Sequence, residues 1–283
     1  MRLVLQGRAI TVAHLTHIHR LIGGNTQFMQ VAEFAYYLPI QSTSKPFEVS
    51  NVQTFCVEQK IDCALVPDAQ RLSHFGLCVM DMDSTLISIE CIDEIADMMQ
   101  LKPQISAITE AAMRGDIDFA TSLKQRVSLL KGLDEAALQR VIDERLKLNP
   151  GAREWIAACK ANNIKTMLVS GGFTFFADHV KAMLGLDYAV ANSLEIIDGK
   201  LTGNILGEIV DAERKARELV NLRDNLGLKV DQTVAIGDGA NDLKMMSAAT
   251  VGVAYHAKPI VQSQATYALN YSGLDGVASF FTA

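Results

Sequence analysis

The sequence predicts an α/β fold built on a mostly parallel sheet, and three observations carry that prediction. From about Leu77 onward, short apolar runs alternate with helical patterns, the order of parallel strands joined by crossover helices. Three of these runs end in polar or glycine-rich turns, and ligands of open α/β sheets collect at such strand ends. The residues before about 72 break the alternation and read as a separate unit. The chain therefore divides into a small α+β module at 1–72 and a Rossmann-like domain at 73–283.

In order, the module offers an opening strand (3–10), a helix (12–21), extended segments around 28–37, a helix near 49–59 and a strand at 62–66. Residues 41–46 are its most linker-like part, and 67–74 join it to the larger domain. That domain opens with the apolar run 77–80 and two closely spaced aspartates. Residues 89–148 then read as several helices, with periodic apolar positions at Ile92, Ile95, Leu129, Leu130 and Leu138, and form a helical cap insertion. Helix 152–162, strand 165–169 and helix 174–184 follow. Residues 194–210 alternate about Asp198-Gly199, a strong hairpin signal, and form a β-hairpin flap. Helix 213–226, strand 233–236, helix 241–249 and strand 251–254 complete the pattern.

With 283 residues, 49% apolar and 20% charged, the chain has an ordinary globular composition. No uninterrupted apolar stretch approaches the ~18 residues of a membrane span, and the start does not read as a signal peptide. Five cysteines, odd in number and without a Cys-x-x-Cys pair, suit a reducing compartment, so the cytoplasm is expected. A net charge of −6 argues against a nucleic-acid surface. It leaves room for a small anionic substrate, because a bound metal and one lysine supply local positive charge.

The chemistry concentrates at the strand ends. Asp81 and Asp83 follow the first buried run and project to one side of an extended chain, so one carboxylate can attack while the other moves protons. An isolated Asp-x-Asp is also the composition of a hydrated turn. Gly237-Asp238-Gly239-Ala240-Asn241-Asp242 leads from a strand into a helix and offers hard oxygen donors suited to Mg²⁺. Asp242 there equally suits a helix dipole. Ser170 and Gly171, in a glycine turn, offer a hydroxyl and N–H groups to phosphate oxygens, and Lys215 adds a point charge.

These four signals, in this order, resemble the haloacid dehalogenase-like phosphatases. Residues 81–94 (DMDSTLISIECIDE), 126–131 (RVSLLK), 169–173 (VSGGF), 198–203 (DGKLTG) and 237–242 (GDGAND) resemble the phosphoserine phosphatases in particular. The resemblance covers roughly the last 200 residues. It implies Asp81 as nucleophile, Asp83 as acid and base, and Mg²⁺ held by the carboxylates of Asp81 and Asp238 and the carbonyl of Asp83. Ser170, Gly171 and Lys215 would hold phosphate oxygens, with Asn241 on substrate or a neighbouring carboxylate. Glu90 and Arg126 would recognise the amino and carboxylate groups of serine, and Met113 and Phe119 would close over the substrate. The module at 1–72 is similar at best to the small ligand-binding, ACT-like modules of some relatives. Regulation, a homodimer or the covering of a surface remain open as its role. A phosphorylated receiver, or the same chemistry on another small phosphate such as phosphothreonine or a sugar phosphate, are the rival readings.

Overall fold

The computed structural model describes residues 1–23, 27–40 and 48–282, so the linker-like stretch 41–46 lies outside the described residues. The N-terminal module comprises β1 (Arg2–Gln6), α1 (Val12–Ile22), β2 (Met29–Ala32), β3 (Ala35–Pro39), α2 (Val49–Glu58) and β4 (Asp62–Val66). Its antiparallel sheet has the order β2-β3-β1-β4. All five residues of β1 are buried. The period-two alternation explains this: Leu3 and Leu5 pack with Ile18, Val52 and Cys56 under the two helices, while Val4 joins the core of the larger domain. β1 ends at Gln6 rather than at residue 10, because residues 7–10 turn back, with Ile10 N–H donating to the Gly7 carbonyl at 3.2 Å. Thr11 caps α1 by accepting from the His14 N–H, and Gly23 closes it at φ 69°.

The larger domain begins with β5 (Leu77–Met80) and continues into four cap helices: α3 (Cys91–Met98), α4 (Lys102–Met113), α5 (Phe119–Ser128) and α6 (Ala136–Glu144). Then come α7 (Ala152–Ala161), β6 (Lys165–Phe173), α8 (Thr174–Leu184), β7 (Tyr188–Ile197), β8 (Lys200–Leu206) and α9 (Ala212–Asn225). β9 (Thr233–Gly237), α10 (Leu243–Ala248), β10 (Val251–Tyr255), α11 (Pro259–Gln262) and β11 (Tyr267–Leu269) follow. The sheet order is β11-β10-β9-β5-β6-β7-β8, parallel except for β8 against β7. Along β5, Cys78 and Met80 face one core, and Leu77 and Val79 face the other under α9 and α10. No helix among the described residues is long and apolar enough to cross a membrane.

β5 lies between β6 and β9, with Met80 level with Leu168 on one side and Ile236 on the other. The chain continuing from each of these strands therefore emerges at the same sheet edge, the crevice where strand order reverses. Two elements differ from the sequence pattern. Ser170-Gly171-Gly172 is not a turn but the bulged, extended end of β6, whose register with β7 shifts between Val169 and Phe173. β7 starts at Tyr188, pairs in parallel with β6, and runs on into the hairpin arm expected only from residue 194. Asp198 and Gly199, at φ 51° and 72°, make the hairpin's tight turn. The flap is bonded to the cap: Gly132 N–H donates to the Leu201 carbonyl at 2.7 Å, and Leu201 N–H to the Leu133 carbonyl at 2.8 Å.

Candidate active site

Asp81 leaves β5 with its N–H bonded to the Ile236 carbonyl at 3.0 Å, which ties its position to β9. Residues 82–87 form a compact loop, closed by Ile87 N–H on the Met82 carbonyl at 3.0 Å, with Ser84 at φ 54°. Asn149 latches this loop from below: its Nδ2 donates to the carbonyls of Ser84, Thr85 and Ile87 at 3.2, 2.8 and 3.1 Å. On the other side, buried Asn192 donates to the Gly171 carbonyl at 2.8 Å and accepts from the Val210 N–H at 2.8 Å, pinning the end of β6. Sequence reasoning passed over both asparagines. Only a polar residue inside an otherwise apolar run marked Asn192, and nothing local marked Asn149.

The buried ammonium of Lys215 bridges two carboxylates, Asp81 Oδ1 at 2.7 Å and Asp242 Oδ1 at 2.8 Å. Asp242 is fully buried and also accepts from the Gly239 N–H at 3.1 Å. It is thus part of the centre rather than a residue serving a helix dipole, although the sequence reading left it out of the ligand set. Asp81, Asp238 and Asp242 each bring a carboxylate oxygen within 4.8 Å of the others. Thr85 Oγ1 donates to Asp238 at 3.3 Å. Three carboxylates against one ammonium leave excess negative charge in a desolvated place. These hard oxygen donors fit a divalent cation, which would restore neutrality.

The electrostatics follow from that crowding. Burial and then Asp242 push Asp81 well above the usual carboxylate range, against the pull of Lys215. Burial, then Asp242 and Glu90, raise Asp238 to about 6. Lys215 is raised because Asp242 and Asp81 outweigh its desolvation. Asp83 is pushed up to about 7 by burial and then by Glu90. Its Oδ1 accepts a long bond, 3.4 Å, from the Cys91 N–H.

Above these groups lies a cavity of about 140 Å³. Its floor is Asp81, Asp83, Asp238, Asn241 and the Ser170–Phe173 strand end, and its roof includes Glu90, Phe119 and Arg126 of the cap. Ser170 Oγ accepts from the Gly172 N–H at 2.8 Å, which leaves the hydroxyl proton free to donate. Glu90 accepts from Ser84 Oγ at 2.6 Å, and burial in the cleft raises its pKa. Arg126 Nε is buried without a partner, and burial lowers the pKa of its guanidinium. The Phe119 ring lies so close over Gly171 that a Cβ there would approach it to 2.9 Å. Ten of the eleven residues singled out from the sequence therefore meet here, with Lys215 just beneath the floor. Met113 does not: it ends α4, is 66% exposed and lies outside the cavity wall.

Comparison with known proteins agrees with this geometry. The haloacid dehalogenase-like hydrolase profile matches residues 78–247. A phosphoserine phosphatase of a Polaromonas species is 52% identical over 210 residues, 72% of this chain and 89% of the relative. One from Haemophilus influenzae is 43% identical over 280 residues, 99% of this chain and 88% of its own length. The crystal structure of a probable phosphoserine phosphatase from Vibrio cholerae superposes with a TM-score of 0.86 at 40% identity, covering 99% of this chain and 85% of that one. The chain belongs to the haloacid dehalogenase-like hydrolases and, within them, to the phosphoserine phosphatase family.

Proposed function

We propose that the chain hydrolyses O-phospho-L-serine to L-serine and phosphate through an aspartyl phosphate on Asp81, the last step of serine biosynthesis. One observation carries the reading: a single cavity has strand-tip aspartates at its floor, with Lys215 bonded to Asp81 just beneath, and, at its roof, a carboxylate beside an unpartnered guanidinium. That pairing of charges matches a phosphate at one end and an amino acid's ammonium and carboxylate at the other.

Both polar contacts of Asp81, from Lys215 and from the Met82 N–H, fall on Oδ1, so Oδ2 is the oxygen free to attack phosphorus. The P–Oδ2 bond forms as the P–O bond to serine breaks. Asp83 delivers its proton to the departing serine oxygen, an acid role worth ~10²–10⁴ in rate. It then takes a proton from the water that attacks the aspartyl phosphate, which frees phosphate and restores Asp81. Ser170 Oγ, the Gly171 N–H and Lys215 steady the phosphate oxygens, with Asn241 beside them. Mg²⁺, held by Asp81, Asp238 and the Asp83 carbonyl, would offset the repulsion between carboxylate and phosphate. Glu90 pairs with the substrate ammonium and Arg126 with its carboxylate. Phe119 closes the roof, and Met113 joins it only if the cap closes further.

The test is phosphate release from L-phosphoserine with and without Mg²⁺, alongside a panel of other monoesters. Asp81→Asn should abolish both turnover and transient labelling of the protein by radioactive phosphate. Full activity in that variant overturns covalent catalysis at Asp81, and a stable phosphoprotein in the native chain favours a receiver.

A further inference from the structure

Free cysteine usually packs as a small buried hydrophobe. Cys91 is placed to do more. It is the first residue of α3, directly after Glu90, and it is fully buried. Its N–H belongs to a helix's first turn and so has no partner inside the helix. It donates instead to Asp83 Oδ1 at 3.4 Å. The Cys91 thiol makes a second hydrogen bond to the same carboxyl group. A buried thiol keeps its proton, so sulfur is the donor.

The other oxygen of Asp83 is fixed by close approach. A Cβ on Gly172 would lie 3.0 Å from Asp83 Oδ2 and 3.1 Å from both Met82 Cε and Ser170 Oγ. Oδ2 therefore sits against bare backbone at the end of β6, where Gly172 lines the cavity. Without these contacts the carboxyl group could turn about its two side-chain bonds. Two donors from one residue and a backbone wall hold it in one orientation. Asp83, Glu90 and Gly172 all line the cavity, whereas Cys91 stands behind its wall.

We propose that Cys91 is a positioning residue for phosphoserine hydrolysis: its N–H and thiol hold the Asp83 carboxyl group with Oδ2 toward the departing serine oxygen. This rests on the phosphatase reading and deepens it. No bond to sulfur forms or breaks. Asp83 still gives its proton to the serine oxygen and later takes one from the attacking water. Loss of the thiol lets Asp83 turn away in a fraction of the bound complexes, so the penalty falls on kcat. KM holds, because other groups grip the phosphate, ammonium and carboxylate of the substrate.

The experiment compares Cys91→Ala, which removes the sulfur donor, with Cys91→Ser, which restores a donor as a hydroxyl. Steady-state phosphate release from L-phosphoserine is measured with Mg²⁺. Cys91→Ala should lower kcat about 10-fold at an unchanged KM, and Cys91→Ser should recover most of that loss. In an Asp83→Asn background the same Cys91→Ala change should cost no more than about 2-fold, since the thiol then has no acid to aim. An equal loss in both backgrounds, or a loss in Cys91→Ser as large as in Cys91→Ala, overturns the proposal by showing that the residue only fills space. A loss carried by KM overturns it as well. A native chain that releases no phosphate from phosphoserine overturns the phosphatase reading and this proposal together. Native turnover with an unchanged kcat in Cys91→Ala overturns this proposal alone.

Discussion

Replacing Arg126 with methionine separates recognition of the substrate's carboxylate from everything else the cavity does. In the free protein this guanidinium has a buried Nε with no partner and makes no ion pair among the described residues. Asp93, Glu90 and Asp83 act on it only through their fields. It therefore carries a desolvation cost of ~1–3 kcal/mol that nothing in the free chain offsets. Phosphoserine offsets it: a charge-assisted bond to the carboxylate is worth ~1.5–3 kcal/mol, or roughly 10- to 150-fold in kcat/KM. The contact exists before and during phosphoryl transfer, so the loss should fall mainly on KM. An aryl phosphate without a carboxylate should react almost as before. Tm should hold or rise, because methionine keeps the stem packing and removes the unpaired group. The assay is steady-state phosphate release on both substrates together with thermal unfolding. Equal losses on both, or a Tm lowered by several degrees, would show that Arg126 supports the cap rather than the substrate.

Lys215→Met should destabilise the chain by ~3–5 kcal/mol, because it leaves two buried carboxylates unpaired, and should remove phosphate release; denaturant unfolding that matches the native chain would refute the bridge. Gly237→Ala places a Cβ against the pinned Asp242 carboxyl group, so a stability loss of ~1–3 kcal/mol and a fall in activity of ~10²-fold are expected. Native Tm and rate in that variant would mean that the loop has slack. For Asp187, burial works toward a higher pKa. The Lys165 ammonium at 2.7 Å and the Thr166 N–H at 2.9 Å overcome it and hold the carboxyl below its usual range. Its contribution is therefore present above the unfolded pKa near 4 and fades as pH falls through the lower folded value. Since the pair is partly exposed, solvent screens most of this contribution, and Asp187→Asn should flatten the acid limb of a Tm–pH curve only slightly. Identical acid limbs would remove the pair from the account.

The sequence alone determined the α/β alternation, the hairpin at Asp198-Gly199 and nearly all of the site. These signals are local: apolar periodicity, turn chemistry, and short motifs whose spacing survives in any fold that places them at strand ends. The Ser-Gly-Gly segment misled because glycine permits a turn without requiring one. Pairing with β7 and the grip of Asn192 hold it extended instead. Only the tertiary structure decided that Asp242 belongs with Asp81 and Asp238, since its partner Lys215 lies 27 residues away and the low dielectric that makes the pairing matter arises on folding. Likewise, Asn149 lies 62 to 65 positions from the carbonyls it holds, contacts set by how chain segments pack rather than by any pattern along them. Met113 was named by resemblance, but its place outside the cavity depends on how far the cap closes, a property of packing between elements.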